Sequence, residues 1–380
     1  MSFFGQKKKQ VLGVDIGFGG IKLVELKSEK GRPALHTYAY TERSPQMAEQ
    51  NILDDPSSAA ELFKRMMKEA RTTTSRAVAG LPIASVFSSI ISVPFGSGQV
   101  LREAIVGQAA KLIPLPLEEM VLDWKILDDA KKSASERGLI ERREVKPIFA
   151  KPEKTARPEP GKKILRILLT SAAKKLIRNY TEFGKLVGLE LLALETEAFA
   201  LIRSLVGKDS SSVMIIDFGT VRTSIVVVLA GIPVLTRTIT LGGATVTRAI
   251  SQTLGIPVPQ AEQMKRDLRR LTQSPADKEG EIPAVMVKAI EPLITEIRFS
   301  LNLFRTQQGE SRPSVEKIIL TGGSASVPYL ANFISQSLNM NTYVADPWAR
   351  VGTHDDLRPV LDEIGPRFAV AIGLAMREFE

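Results

Sequence analysis

Residues 11–26 of the chain, VLGVDIGFGGIKLVEL, decide the fold. An apolar run ends at Asp15, a turn rich in glycine follows, and apolar residues then alternate with Lys22 and Glu25. A glycine turn after a strand usually leads into a helix that binds phosphate. Here the alternation has a period of two, which predicts a second strand instead. The stretch is therefore expected to form a β-hairpin with an aspartate beside a glycine-rich tip.

The same pattern occurs again about 200 residues later. In IDFGTVRTSIVVVL, residues 216–229, Asp217 and Gly219 match Asp15 and Gly17 of the first copy. The similarity continues into the segments that follow, GRPALHTYAY and GIPVLTRTIT. Each copy predicts a three-stranded meander. A spacing this long is not a solenoid period, so it indicates two domains built on one plan.

Two such hairpins facing each other would form a polyphosphate site, because glycine lets backbone N–H groups approach a ligand closely. The carboxylates of Asp15 and Asp217 would repel phosphate unless a cation lay between them. Mg²⁺ is the cation expected, since one or two carboxylates together with phosphate oxygens typically hold it.

The net charge of +9 is concentrated in two segments. Residues 7–9 are three lysines, and residues 131–163 hold 11 basic and 5 acidic side chains, so the remainder is about neutral. This distribution argues against a folded basic groove for nucleic acid. Because residues 131–163 contain four prolines and one aromatic side chain, they are expected to form a disordered basic loop. Contact with an anionic membrane or an acidic partner is the alternative.

Composition excludes several kinds of site. The chain has no cysteine and only two histidines, which excludes disulfides and thiolate sites and makes a histidine-based centre improbable. The longest uncharged apolar run, residues 225–235, is far shorter than the roughly 20 residues of a membrane helix. No signal peptide is visible at the start of the sequence. A cytoplasmic protein is therefore expected.

The paired turns resemble the two phosphate-binding loops of the ATPase superfamily that includes actin and the sugar kinases. The stretches LGGATVTRAI, AEQMKRDL and LTGGSASVPYLANFISQSL resemble its other nucleotide-contacting segments, in the expected order. The resemblance implies an actin-like (ribonuclease H-like) α/β fold with two duplicated lobes, and ATP with Mg²⁺ as the cofactor. The cofactor-binding residues that it implies are Asp15, Gly17, Phe18, Gly19, Gly20, Lys22, Asp217, Gly219, Thr220, Gly242, Gly243, Glu262, Lys265, Gly322, Gly323 and Ser324.

Roles within this set follow from the same resemblance. Asp15 and Asp217 would hold the metal through water, and Glu262 and Lys265 would contact the ribose and base. Asp217 would also orient or deprotonate a water molecule for weak ATP hydrolysis. Glu195 would hold metal-bound water in that reaction, and the sequence ETE offers Glu197 as the alternative. A helix is expected to begin near Val327, after the glycines that face adenine.

Residues 102–127, REAIVGQAAKLIPLPLEEMVLDWKIL, resemble the signature of the PilM family of actin-like proteins in type IV pilus assembly. This resemblance implies a scaffold at the inner face of the cytoplasmic membrane. It would bind the N-terminal cytoplasmic peptide of a PilN-like inner-membrane protein, with Glu118 and Glu119 facing a basic peptide end. Pilus ATPases and self-association are further implied partners. A small-molecule kinase and an FtsA-like filament-forming division protein are the alternative hypotheses.

The resemblance also implies domain boundaries. The first lobe would comprise residues 1–211 plus 361–380, and the second lobe residues 212–360. An inserted α/β subdomain would occupy about 92–175 and carry the basic loop.

The chain departs from the superfamily pattern at both turns. Phe18, Gly19 and Gly20 stand where small hydroxyl residues are usual, so hydroxyl groups for phosphate or metal-bound water are missing. Arg222 stands where small polar residues are usual. It either points at a phosphate or is a surface residue of the turn without a role in binding. Slow ATP turnover, or none, is therefore expected.

Overall fold

The computed structural model describes residues 9–43, 51–96, 98–127, 164–267, 281–308 and 314–380. The basic loop expected at 131–163 lies outside the described residues. The described residues form two compact units, one from within 1–84 and 179–380 and the other from within 85–178.

Thirteen strands and ten α-helices are found among the described residues. The strands are β1 (Gln10–Gly17), β2 (Gly20–Glu29), β3 (Arg32–Tyr40), β4 (Arg76–Leu81), β5 (Val86–Pro94), β6 (Met120–Ile126), β7 (Ile164–Ala173), β8 (Glu190–Thr196), β9 (Val213–Phe218), β10 (Thr223–Leu229), β11 (Ile232–Ile239), β12 (Lys317–Thr321) and β13 (Thr342–Val344). The helices are α1 (Pro56–Glu69), α2 (Gly98–Leu112), α3 (Lys174–Val187), α4 (Glu197–Leu201), α5 (Gly243–Leu254), α6 (Val258–Arg266), α7 (Ala284–Gln308), α8 (Leu330–Leu338), α9 (Arg358–Ile364) and α10 (Ala369–Met376).

Two five-stranded sheets in the larger unit have the same topology. The first has the strand order β3-β2-β1-β4-β8 and the second the order β11-β10-β9-β12-β13. In each sheet an antiparallel meander comes first, and its first strand then pairs in parallel with a later strand. The meander copies predicted from the two quoted stretches are therefore the first three strands of each sheet.

The duplication extends to the tight turns between the second and third strands of each meander. Lys30 and Gly31 join β2 to β3 with φ of 49° and 81°, and Ala230 and Gly231 join β10 to β11 with φ of 50° and 75°. Two successive positive φ values match the type I′ hairpin turn, whose twist fits that of the flanking strands.

Helix α10 packs against the first sheet. All eight of its residues are buried, which is why its sequence is apolar on every side. A Cβ atom added to Gly13 on β1 would lie 1.9 Å from the carbonyl oxygen of Ala371, and one added to Gly373 would lie 1.9 Å from that of Ala200. Glycine at these positions therefore lets α10 press directly on both β1 and α4.

The smaller unit is an antiparallel three-stranded sheet with the strand order β5-β7-β6. Its core is formed by apolar side chains of the sheet and of α2, among them Ile105, Ala109 and Ile167. Residues 102–127 include most of α2 and all of β6.

The prediction that a helix begins near Val327 was wrong by three residues, because α8 begins at Leu330. The backbone N–H of Ser324 donates to the carbonyl oxygen of Phe218 at 3.0 Å, which ties the preceding turn to β9. Pro328 and Tyr329, which has φ of 64°, then delay the helix. None of the helices among the described residues is both long enough and apolar enough to cross a bilayer.

Candidate nucleotide site

The first predicted phosphate turn is a two-residue connection, Phe18-Gly19, between β1 and β2. Gly20 has φ of 138°, and a Cβ atom there would lie 1.9 Å from the carbonyl oxygen of Thr41. Only glycine fits this position. The backbone N–H of Arg43 donates to the carbonyl oxygen of Gly19 at 3.0 Å, so the segment after β3 fixes the turn.

The second predicted phosphate turn lies between β9 and β10 and is closed by a hydrogen bond from the Gly219 N–H to the Arg222 carbonyl at 3.0 Å. The start of α5 supports it from behind. Gly243 N–H donates to the Gly219 carbonyl at 2.9 Å, and Ala244 N–H donates to the Thr220 carbonyl at 2.8 Å. A Cβ atom on Gly242 would lie 2.4 Å from the Thr220 carbonyl oxygen. The glycine pair at the start of α5 therefore lets helix and turn meet backbone to backbone.

The two turns are in direct contact. A Cβ atom added to Gly19 would lie 2.1 Å from the hydroxyl oxygen of Thr220. The guanidinium of Arg222 lies over the ring of Phe18, 4.5 Å from its centroid. The two departures from the superfamily pattern are therefore partners of each other, which the sequence did not indicate.

Asp15 and Lys22 are cross-strand neighbours on β1 and β2. Lys22 Nζ donates to Asp15 Oδ2 at 2.9 Å, and Asp15 is 5% exposed. Desolvation would lower the pKa of Lys22, but the charge and hydrogen bond of Asp15 outweigh it and raise that pKa. The ammonium group is therefore held charged between the strands. Gly17 lies beside it, since a Cβ atom there would be 3.4 Å from Lys22 Nζ.

Asp217 and Glu197 lie in the electrostatic field of Asp15. Desolvation and the charge of Asp15 raise the pKa of Asp217 to about 6, partly offset by Lys22. Desolvation and the charges of Asp15 and Asp217 raise the pKa of Glu197 to about 8. A hydrogen bond from Ile83 N–H to Glu197 Oε2, at 3.0 Å, opposes this rise. We call Asp15, Lys22, Asp217 and Glu197 the carboxyl cluster.

Glu195 has a different environment from Glu197. Its two carboxylate oxygens accept from Arg203 at 2.7 Å and 2.9 Å, and the same guanidinium donates to the carbonyl oxygen of Gly373. Both side chains of this ion pair are largely buried. Through the Gly373 carbonyl this pair connects β8 to α10, and the Glu195 carboxylate already has a cation as its partner.

The remaining predicted nucleotide contacts converge around α5. A Cβ atom on Gly243 would lie 2.2 Å from Ser324 Oγ and 3.2 Å from Lys265 Nζ. Lys265 Nζ donates to Glu262 Oε2 at 2.7 Å, which confirms that these two side chains share one face of α6. Desolvation lowers the pKa of Lys265 against the opposing charge of Glu262. This ammonium group is buried and held in place from three sides, since it also donates to Thr247 and Gly243.

Gly322 and Gly323 lie at the end of β12. Gly322 has φ of 90°, and a Cβ atom there would lie 2.4 Å from Asp217 Oδ1. Gly322, one of the two glycines that are expected to face adenine, therefore lies directly against the second phosphate turn and Asp217. A Cβ atom on Gly323 would be 3.9 Å from the Cβ of Arg367.

Several residues of this region were missed by sequence reasoning. Glu42 accepts from Arg367 at 2.6 Å and from Arg266 at 3.5 Å, and Arg367 lies over the ring of Tyr40. The hydroxyl of Tyr180 is buried without a hydrogen-bond partner, and the charges of Glu197 and Asp15 add to the desolvation that raises its pKa. Nothing in the sequence signalled these side chains, since partners such as Glu42 and Arg367 are 325 positions apart.

The carboxyl cluster fits Mg²⁺. The cluster contains three carboxyl groups and one ammonium group, which leaves two negative charges when all are ionised. Desolvation and then the neighbouring carboxylate charges raise the pKa values of Asp217 and Glu197, so a cation nearby would favour their ionised forms. Within the described part of the chain, no three side chains of histidine, cysteine, aspartate or glutamate converge closely enough to hold a metal alone. Mg²⁺ does not need such a cage, because waters and phosphate oxygens complete its shell.

The chain is similar to proteins of known family and structure. A family model described as "Type IV pilus assembly protein PilM" matches residues 13–141 and 156–379. A solved structure titled "PilM-PilN type IV pilus biogenesis complex" is 27% identical with a TM-score of 0.75, covering 97% of this chain and 98% of that chain. The ethanolamine utilization protein EutJ from Carboxydothermus hydrogenoformans is 14% identical with a TM-score of 0.53, covering 99% of this chain and 91% of that chain, and shows the fold alone.

These likenesses confirm the actin-like α/β fold that the duplicated hairpins predicted. They do not favour the two alternatives, a small-molecule kinase and an FtsA-like filament-forming protein. Because the family match extends over most of its length, the chain belongs to the PilM family of type IV pilus assembly proteins.

Proposed function

We propose that this protein is a nucleotide-binding scaffold of the type IV pilus assembly platform. In this account it binds Mg-ATP between its two phosphate turns and captures the N-terminal cytoplasmic peptide of a PilN-like inner-membrane protein. The observation that carries the proposal is the 27% identity, over 97% of this chain, to the structure titled as a PilM–PilN complex. The partner would hold the protein at the inner face of the cytoplasmic membrane. Contacts with pilus ATPases and self-association remain expectations of the same scaffold role.

The nucleotide part of the proposal is supported by the carboxyl cluster and the converging glycines. Asp15 and Asp217 would hold magnesium through its waters, and the backbone of the two turns would contact phosphate. When bound, magnesium supplies the positive charge that offsets the phosphate oxygens. Glu262 and Lys265 would contact the nucleoside, because their ion pair lies beside Gly243 and Ser324. The first turn lacks the usual hydroxyl groups and the second has Arg222 in place of a small polar residue, so slow hydrolysis or none is still expected.

The catalytic assignment now favours Asp217 with Glu197. Glu195 is occupied by Arg203, whereas the pKa of Glu197 is raised to about 8 by desolvation and by Asp15 and Asp217. An acid with such a pKa exchanges protons near neutral pH, as a group that orders water beside a metal would.

The peptide part is supported by the surface of the smaller unit. Leu112, Leu115 and Val121 are exposed by 43%, 50% and 38% within one short stretch. Glu118 and Glu119 lie exposed between them. Apolar anchors flanked by acidic groups suit a peptide that carries both apolar and basic side chains.

Fluorescence anisotropy with a labelled peptide from the N-terminus of the PilN-like partner tests this proposal. Saturable binding that a scrambled peptide does not reproduce is expected. The Glu118→Gln/Glu119→Gln double variant should weaken it, and Glu103→Lys, which changes the net charge by the same amount at an exposed position on α2, serves as the charge-matched control. Absence of binding with and without Mg-ATP would contradict the scaffold role. Equal binding by both charge variants would place the peptide elsewhere.

A further inference from the structure

The contact between Phe18 and Arg222 joins the two predicted phosphate turns across 204 positions of sequence. The central carbon of the Arg222 guanidinium lies 4.5 Å from the centroid of the Phe18 ring. A cation–π contact uses the face of the guanidinium and leaves the N–H donors in its plane free. Among the described residues, the Arg222 side chain has no hydrogen-bond partner, so its N–H donors are available to a ligand.

Three arginines around the site have carboxylate partners, whereas no carboxylate of the described residues pairs with Arg222. Arg203 pairs with Glu195, and both Arg266 and Arg367 pair with Glu42. Among the described residues, no carboxylate lies within ion-pair distance of the Arg222 guanidinium, which lies over the Phe18 ring. A half-buried cation without an anion beside it is matched to an anionic ligand, because Arg donates to phosphate with charge-assisted, often bidentate hydrogen bonds.

The arrangement of the two turns indicates which phosphate this is. The nucleoside segments support the second turn through its Gly219 and Thr220 carbonyls, by way of Gly243, Ala244 and Ser324. Arg222 instead extends over Phe18 of the first turn. A phosphate chain that starts at the nucleoside segments and reaches the contact between the turns would therefore end at Arg222.

We propose that Arg222, positioned by Phe18, binds the terminal phosphate and distinguishes a nucleoside triphosphate from a diphosphate. This inference rests on the proposed nucleotide-binding function. The Arg222 guanidinium replaces the hydroxyl donors that the first turn lacks. Phe18 and Arg222, the two departures from the superfamily pattern, therefore act together. Arg222 is a specificity-determining residue, and Phe18 is a positioning residue.

Isothermal titration of Mg-ATP and Mg-ADP into the full chain and its variants tests the inference. Arg222→Gln should weaken ATP binding about tenfold, the loss of one charge-assisted hydrogen bond, and should leave ADP binding almost unchanged. Phe18→Leu should weaken ATP binding about threefold, the value of one exposed cation–π contact, and Phe18→Trp should retain the affinity. Arg248→Gln, at an exposed position on α5, is the matched control and should change neither constant.

A merely structural role for Arg222 would lower the two affinities together. Wild-type protein that binds ATP, with an ATP-to-ADP ratio unchanged by Arg222→Gln, would overturn the inference and leave the nucleotide site standing. Wild-type protein that binds neither nucleotide would overturn the proposed site itself and the inference with it. The double variant Phe18→Ser/Arg222→Gln gives a second readout, since a restored hydroxyl should recover part of the ATP affinity lost in Arg222→Gln.

Discussion

Lys22 Nζ lies 2.9 Å from Asp15 Oδ2, between two strands where Asp15 is 5% exposed. The aspartate expected to hold magnesium is therefore already neutralised by an ammonium group. The same lysine is the one cation of the carboxyl cluster, and its charge lowers the pKa of both Asp217 and Glu197. Its removal would leave three carboxyl groups facing each other.

Replacing Lys22 with methionine should lower the free energy of unfolding at pH 7 by about 3 kcal/mol, as is typical when one partner of a buried ion pair is removed. The loss should shrink near pH 5, because Asp217, whose pKa is about 6, is then largely protonated. Urea unfolding at both pH values measures it. Lys27→Met removes an exposed pair with Glu29 and should cost little. An equal loss at both pH values would contradict the assigned charge balance.

Glu197 should make the stability of the protein fall as pH rises. Its pKa is about 8 in the folded chain and 4.5 in the absence of the fold. Between these values the native state holds a proton that the unfolded chain has released, so unfolding is favoured by raising the pH. The slope from one such group is at most about 1.4 kcal/mol per pH unit. Glu197→Gln should flatten the slope between about pH 5 and pH 8, as followed by urea unfolding at several pH values. Identical slopes for the two proteins would show that Glu197 titrates normally.

Glu195 should prove to be a structural residue. Glu195→Gln removes the charge that faces Arg203, and this should cost about 3 kcal/mol of stability because both groups are largely buried. The affinity of the folded protein for Mg-ATP should stay within about twofold of wild type, since this residue lies outside the carboxyl cluster. Thermal unfolding and nucleotide titration separate the two effects. A large loss of affinity without loss of stability would return the metal-side role to Glu195.

A substitution at Ala230, in the hairpin turn between β10 and β11, should stabilise the protein. Ala230 has φ of 50°, a conformation that asparagine adopts more easily than alanine. Ala230→Asn should therefore raise the free energy of unfolding by about 0.5 kcal/mol. Gly231→Ala in the same turn should lower it, since Gly231 has φ of 75° and alanine there is strained. Urea unfolding of both variants measures this, and effects of the same sign would argue against the type I′ turn.

The sequence predicted the features that depend on local pattern. Strand alternation and the repeated aspartate–glycine turns were enough to predict both meanders. Glu262 and Lys265 could be placed on one helical face because residues three apart meet there. The choice between Glu195 and Glu197 could not be made, since it depends on β8 ending at Thr196 and α4 beginning at Glu197. Once strand geometry gives way to helix, the two side chains no longer point the same way.

Contacts between residues far apart in the chain could not be predicted from local sequence patterns. Phe18 and Arg222 were recognised singly as departures from the superfamily, but their contact depends on how the two turns meet. Glu42 was unremarkable in sequence, because its arginine partners come from α6 and from the segment before α10. Such contacts form only when elements distant in sequence come together in the fold. The spacing of residues in a single sequence does not indicate which elements these are.

Isothermal titration of Mg-ATP into nucleotide-free wild-type protein and into the Asp15→Asn/Asp217→Asn double variant tests the central claim most directly. The account predicts one binding site per chain in the wild type, with magnesium required. It predicts an affinity about 10- to 100-fold lower in the variant, the usual cost of losing groups that hold a metal through its waters. Circular dichroism should show both proteins folded. Equal affinity in a folded double variant, or no binding by the wild type, would contradict a magnesium–nucleotide site between the twin turns.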